Sequence, residues 1–289
     1  MRVGLLGLLF LLIPVSALSE SDNYFEQVQK LDWKTVAGSY DIQSNNAKVM
    51  ISENEYLVLD EDAIKFMRLT EGHDNFKPDA VKLKVHSDES ESTAIYEHIE
   101  IGFVKTDDWD EYIDPVEMLE QIKLGTEEAN KMRAEGYAKL YIDGWLEPPF
   151  LDRENSIVYW AINGHSSDDT HFVNAKALKL GRKGYTEMIW AGTPEQFSSA
   201  REVLEPVLAS YTYNEGYQYK DFVPGTDTVA AMGAGALVYK LATGKTAVKA
   251  GLLAAAVIFA KKFWFVLLIP IVSAWKWIKR KILKKIKMM

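Results

Sequence analysis

Residues 157–191 read IVYWAINGHSSDDTHFVNAKALKLGRKGYTEMIWA, and this run decides the fold. Ile157–Ile162, Phe172–Leu180 and Tyr185–Ala191 are rich in β-branched and aromatic residues, as strands are. Gly164–Thr170 and Gly181–Gly184 between them are clusters of turn formers. Strands joined by such short turns lie side by side and antiparallel. The next stretch, TPEQFSSAREVLEPVLASYTY from Thr193, changes period. Thr193 as N-cap, Pro194 at N1 and Gln196 at N3 predict a helix start. Its apolar face is Phe197, Ala200, Leu204, Val207, Leu208 and Tyr211, with a kink expected at Pro206.

Working towards the N-terminus, Tyr137–Trp145 reads as a further strand, ended by a turn at Pro148-Pro149. Before it comes a helix with Asp114 as N-cap, Pro115 at N1 and Glu117 completing a capping box. Val116, Leu119, Ile122, Thr126 and Ala129 share its apolar face, and Gly136 is the expected C′ residue. Ala94–Val104 and Val81–Val85 read as strands and Asp60–Leu69 as a helix. Lys48–Ser52 and Tyr56–Leu59 suggest a hairpin around Glu53-Asn54-Glu55, and Asp22–Leu31 a short first helix. The class is α+β: a mainly antiparallel sheet with packed helices, plus a C-terminal transmembrane helix. The closing β-β-β-α pattern resembles the Mog1/PsbP-type fold.

Charge divides the chain. It holds 41 acidic and 33 basic residues, and no acid follows Asp227, whereas twelve bases do. Residues 1–227 therefore carry 41 acids and 21 bases, net −20, and residues 228–289 carry +12. So acidic a body argues against nucleic-acid binding, because phosphate contacts need a basic surface, and no nucleic-acid partner is expected. No cysteine is present, which excludes disulfides, thiolate metal sites and CxxC chemistry.

The expected domains follow. Residues 1–19 form a signal peptide, with a short apolar run, Gly4–Val15, behind Arg2; the alternative is an uncleaved anchor. Residues 20–227 form an extracytoplasmic domain. Residues 228–262 are a Gly/Ala-rich membrane-proximal helical segment. It is either a plain linker helix or a packing surface for self-association through Gly233 and Gly235. Residues 263–278 are the transmembrane helix, with Trp264, Trp275 and Trp277 at its interfaces. Residues 279–289 are a basic cytoplasmic tail facing anionic lipid. Segment 247–260 leaves open one crossing or three. The lipid bilayer and another envelope protein are the expected partners.

A resemblance reinforces this. GFVKTDDW (102–109), GTEEANKMRAEGYAKLYIDGWLEPPFLD (125–152), VYWA (158–161), VNAKALKLGRKGY (173–185), DFVPGTDTVAAMG (221–233) and KKFW (261–264) run in the order and spacing of a bacterial family. The chain is similar to the predicted membrane-anchored proteins with domain of unknown function 2167. Trp109 and Phe150-Leu151 depart from the family pattern. The resemblance implies a bacterial inner-membrane protein, single-pass, with a periplasmic domain and no assigned activity.

Chemistry is sparse. Thr243-Gly244-Lys245-Thr246 is no P-loop, because Tyr239 stands where the motif needs glycine. No Gly-x-Ser-x-Gly elbow occurs, and no cofactor motif is present. The candidate binding residues are Asp107, Asp108, Asn130, Arg133, Trp145 and Asp152. Asp107 and Asp108 are either oxygen ligands or an acidic lead-in to a helix. Trp145 is either core or a ligand platform. His165, Asp169 and His171 are the weak metal candidates, set against a solvated hairpin loop. The expected function is a non-enzymatic, membrane-anchored binding module; the alternative is a membrane-tethered hydrolase or metal-dependent enzyme.

Seven bases follow Trp275, against Lys261 and Lys262 before the span. Each is worth about 1 kcal/mol beside an anionic leaflet. Replacing Lys279, Arg280, Lys281, Lys284 and Lys285 with Gln removes the bias. A C-terminal epitope in sealed vesicles is then expected to show mixed protease protection; an unchanged pattern would rule charge out.

Overall fold

The computed structural model describes residues 26–42, 46–71, 77–87, 90–132 and 138–245. The leader, Arg133, Gly136 and everything expected beyond Lys245 lie outside the described residues. The chain divides into two units at Thr246–Ala247, and all described residues belong to the first.

Ten strands form two sheets. A seven-stranded antiparallel sheet has the order β3 (Glu55–Leu59), β4 (Ala80–Val85), β5 (Glu91–Glu100), β9 (Gly184–Gly192), β8 (His171–Leu180), β7 (Ile157–Ser166), β6 (Leu140–Asp152). A second sheet pairs β1 (Gly38–Ile42), β2 (Ala47–Ile51) and β10 (Tyr211–Tyr213), also antiparallel. The expected strands at 157–191 sit near the middle of the large sheet, which is why they are apolar on both faces.

Alternation sends Tyr96, Val173, Ala175, Ala177, Met188 and Trp190 to the front. There α4 (Ala200–Ser210) covers them with Leu204, Val207 and Leu208, and the small sheet with Ile42, Val49 and Ile51. The back has two covers. α1 (Asp60–Glu71) places Ala63, Phe66 and Met67 over Val58, Val81, Ile95 and Ile189. α2 (Trp109–Tyr112), α3 (Pro115–Met132) and α5 (Ala234–Thr243) cover Val158, Trp160, Ile162, Leu178 and Tyr185.

Polar groups tie the front layers together. Lys179 Nζ donates to the Leu208 and Tyr211 carbonyls (3.1 and 2.6 Å) at the C-terminal end of α4, where a cation complements the helix dipole. Thr186 Oγ1 meets the Tyr211 and Tyr213 hydroxyls at 2.9 and 2.7 Å. Between the two back covers runs a buried polar row. Lys176 Nζ donates to Glu187 Oε1 (2.7 Å), and Glu97 lies directly across the ladder from Glu187. Burial first, then the Glu187 and Asp79 charges, push Glu97 up to about 7.

Four expectations need correction. β2 and β3 do not form a hairpin. Asn54 turns the chain with φ +61, Glu55 Oε2 accepts from Ser52 N, and the strands enter different sheets. Pro148-Pro149 is not a turn but lies within β6, an edge strand whose register shifts between Glu147 and Phe150; edges tolerate proline. The α3 face is rotated: Met118, Ile122, Thr126 and Asn130 are buried, whereas Val116 is 72% exposed. The helix expected from Thr193 is split. A 3-10 turn, Pro194–Gln196, uses Thr193, and α4 starts with its own cap, Glu202 N donating to Ser199 Oγ (3.2 Å).

The compact fold also continues past Asp227. Phe103 N donates to Thr228 O (2.8 Å), Ala230 N to Phe103 O (2.9 Å) and Ala234 N to Lys105 O (2.7 Å). α5 follows, with Leu237, Val238 and Leu241 in the core. Its N-terminus is capped from far away in sequence. Asp108 Oδ1 accepts from Gly235 N (3.0 Å) and Oδ2 from Ala236 N (3.2 Å). Gly233 and Gly235 permit this approach, since a Cβ would come within 2.3 Å of Asp108 Oδ1 or 2.6 Å of its carbonyl oxygen. The Gly/Ala-rich composition of 234–243 is thus that of a helix buried in the core of the domain.

Asp108→Ala removes this cap and is expected to cost about 1–2 kcal/mol in urea unfolding of the domain. A chain ending at Asp227 loses three core side chains worth about 1.5–3 kcal/mol each. It is expected to melt well below one ending at Thr246; equal melting would show that α5 is dispensable.

Glu97 has a raised folded value, so its contribution is complete below about pH 4.5 and is lost as pH rises through about 7. Glu97→Gln is expected to flatten that loss and to be roughly 2 kcal/mol more stable than the parent near pH 8. An unchanged pH profile would contradict it.

Candidate functional site

β4 carries Lys82 and Lys84 at alternate positions, and His86 continues the series just beyond the strand. Period two sends all three to the front of the sheet. Beyond the small sheet and beside α4, that front is incompletely covered, leaving a cleft of about 230 Å³. Its floor is Glu55, Lys82, Lys84, Ser92, Ala94 and Trp190; its roof is Gln196, Ser198 and the α4 side chains Glu202, Val203, Pro206 and Val207. Gln196 holds the roof to the β4–β5 connection, its Nε2 donating to Ser90 Oγ (2.8 Å) and the Glu91 carbonyl (3.2 Å).

At the floor, Lys82 Nζ donates to Glu55 Oε1 at 3.2 Å, with both residues under 9% exposed. Burial desolvates the Lys82 ammonium and lowers its pKa, and Glu55 works against that shift. Nearby, His86 Nε2 and Ser92 Oγ are 2.8 Å apart, with the donor set by the imidazole tautomer. The arrangement offers a cation and a hydroxyl–imidazole pair beside an apolar wall.

The residues singled out by sequence lie elsewhere. Asp108 caps α5. Asn130 acts as a surrogate for a strand neighbour: its Nδ2 donates to Leu140 O (2.6 Å) and its Oδ1 accepts from Leu140 N (2.9 Å), docking α3 on β6. Trp145 Nε1 donates to Pro115 O (2.8 Å), pinning β6 to the start of the same helix. Asp152 shapes the β6–β7 turn through Asn155 N and Nδ2 and pairs with Arg201 at 3.3 Å; those hydrogen bonds, Asn155 foremost, lower its pKa. Asp107 is exposed. Among the described residues, these five do not line one pocket.

The histidines do come together. His165 and His171 are register partners with rings 5.8 Å apart, and His165 Nδ1 lies 2.8 Å from Asp143 Oδ1 and stacks on Tyr141. His171 Nε2 is 3.8 Å from Asp169 Oδ1. Among the described residues, no three His, Asp or Glu side chains are grouped to hold a metal ion.

A two-sheet α+β domain closed by a C-terminal helix, with one polar cleft under α4, is the class of protein defined so far. The chain belongs to the family described as "Protein of unknown function (DUF2167)", matched over residues 34–272. None of the curated proteins compared with it matches. Among solved structures it is similar to "Solution Structure of Cyanobacterial PsbP (CyanoP) from Synechocystis sp. PCC 6803". That match has 11% identity and a TM-score of 0.36, covering 62% of this chain and 94% of that one.

Among the described residues, three of the stretches that carry the family resemblance, 102–109, 173–185 and 221–233, are tied together by hydrogen bonds. Asp108 of 102–109 caps α5 just beyond 221–233. Arg182 of 173–185 grips Asp227 through Nε and Nη2 (2.7 and 2.8 Å). That grip holds the Asp227 carboxyl below the ordinary range.

Lys82→Met leaves Glu55 charged and buried, and is expected to destabilise by about 3–5 kcal/mol. The double variant Lys82→Met, Glu55→Gln keeps the acceptor for Ser52 N and is expected to recover most of that loss. Additive losses in urea melts would show that the two groups are not a coupled pair.

Proposed function

We propose that this is a membrane-anchored envelope protein whose extracytoplasmic domain is a non-catalytic binding module, with the cleft beside α4 as its binding site. The cleft carries the reading. It joins a desolvated ion pair, hydrogen-bonding side chains and an apolar wall of Trp190, Val203 and Pro206 in one concavity. Sites that hold small ligands combine those elements. At about 230 Å³ it suits a small molecule or the end of a longer one.

Anchoring rests on the chemistry of the C-terminal stretch. FWFVLLIPIVSAW (263–275) has no charge and is bracketed by Lys261-Lys262 and Lys276. Among the described residues no helix is long and apolar enough to cross a membrane, and this stretch lies outside them. The bias of bases beyond it supports a cytoplasmic tail with the domain on the far side.

Ligand-observed NMR with a library of small polar fragments tests the binding reading. Hits are expected to compete for one site and to vanish in Val203→Trp, which fills the cleft. Hits indifferent to that substitution would place binding elsewhere.

The His86–Ser92 contact supports a second reading, a serine hydrolase. In it His86 would take the Ser92 proton as the oxygen attacks a carbonyl. A fluorophosphonate probe decides between them: labelling that is lost in Ser92→Ala favours the hydrolase, and no labelling leaves the binding module.

A further inference from the structure

Two charged residues line the cleft from different elements. Lys84 projects from β4 on the floor, and Glu202 from the first turn of α4 on the roof. Among the described residues neither forms an ion pair, with the other or with any other side chain. The remaining floor charges are already matched, Lys82 with Glu55. His86 sits two positions beyond Lys84 on the same side, and Ser92, directly opposite Lys84 in the ladder, is its hydrogen-bond partner. Cation and hydrogen-bonding groups therefore gather at the strand side and a carboxylate at the helix side. Ala94, Trp190, Val203 and Pro206 supply apolar lining to the same cleft. Pro206 has no N–H to offer the Glu202 carbonyl one turn back, which leaves that oxygen as a further acceptor beside the Glu202 carboxylate.

Resting on the reading of this cleft as the binding site, we propose that its ligand is a zwitterion with an apolar body: an apolar amino acid or the whole of a very short apolar peptide. Its carboxylate lies toward Lys84 and His86, its ammonium toward Glu202, and its side chains against Trp190 and Val203. The volume agrees. A cleft of about 230 Å³ suits a small ligand and not a folded segment. Charge complementarity at both ends favours a zwitterion over singly charged molecules, because capping either end removes one of the two opposite-charge contacts.

The test uses the full chain in lipid nanodiscs and isothermal titration calorimetry with four probes: L-leucine, L-leucyl-L-leucine, N-acetyl-L-leucyl-L-leucine and L-leucyl-L-leucinamide. The expected result is binding of a free zwitterion, with acetylation and amidation each weakening it at least tenfold. The stronger of leucine and dileucine identifies the source, free amino acid or peptide. In Glu202→Gln the acetylated and free dipeptides are expected to bind alike, and in Lys84→Met the amide and the free acid. Both positions are exposed, so unchanged melting temperatures confirm that these variants fold. Equal affinity for free and capped dipeptides in the parent would overturn the proposal, as would a capping penalty that survives both substitutions. If no zwitterion binds while fragments still compete in the cleft and are excluded by Val203→Trp, the ligand class is wrong and the binding site stands. If the fragments also ignore Val203→Trp, the site itself is wrong.

Discussion

Burial of the large sheet on both faces is the constraint from which the rest follows. Strands β7, β8 and β9 present almost no exposed side chain on either side. A sheet of that composition needs two layers of cover, and each apolar side chain left uncovered would forgo about 1.5–3 kcal/mol. No contiguous stretch of this chain supplies both layers. The front is covered by a helix and a small sheet that follow or precede the large sheet in sequence. The back is shared between α1 from the N-terminal half, α2 and α3 from the middle, and α5 from beyond the last acid.

That distribution gives the charge boundary a structural meaning. Asp227 is the chain's last acid, and Arg182 holds it where the final segment turns to meet residues 102–109. The small residues at 233 and 235 then let the α5 N-terminus sit on the Asp108 carboxylate. An acid beside the positive end of a helix is stabilising, and more so when partly shielded from water. Three of the six stretches that carry the resemblance, 102–109, 173–185 and 221–233, contribute residues to this closure.

Much of the fold was legible because local pattern and tertiary environment agree. The strands at 157–191, the capped start of α3 and the helix at Asp60 all sit within a few residues of where their sequence places them. The misreadings arise where long-range geometry decides. Nothing local says that β2 and β3 part to different sheets, or that Pro148-Pro149 lies in an edge strand that never needs those N–H groups. The α3 face was rotated because Asn130, a polar residue, is buried by bonding the Leu140 backbone. The cleft was missed for a related reason. Lys82 in AVKLKV alternates with apolar residues as a solvent-facing residue would, and its buried partner Glu55 lies 27 residues away. The one available signal was that Val81, Leu83 and Val85 alternate with lysines in a strand central enough to need cover on both sides.

α5 is an integral layer of the domain, packed on the back of the large sheet. Amide hydrogen exchange on the full chain measures how firmly it is held. Gly235, Ala236 and the α5 amides are expected to be protected to nearly the same free energy as the β7–β9 amides, because both open only when the domain unfolds. Exchange of α5 at the rate of an isolated helix, with the sheet still protected, would contradict it.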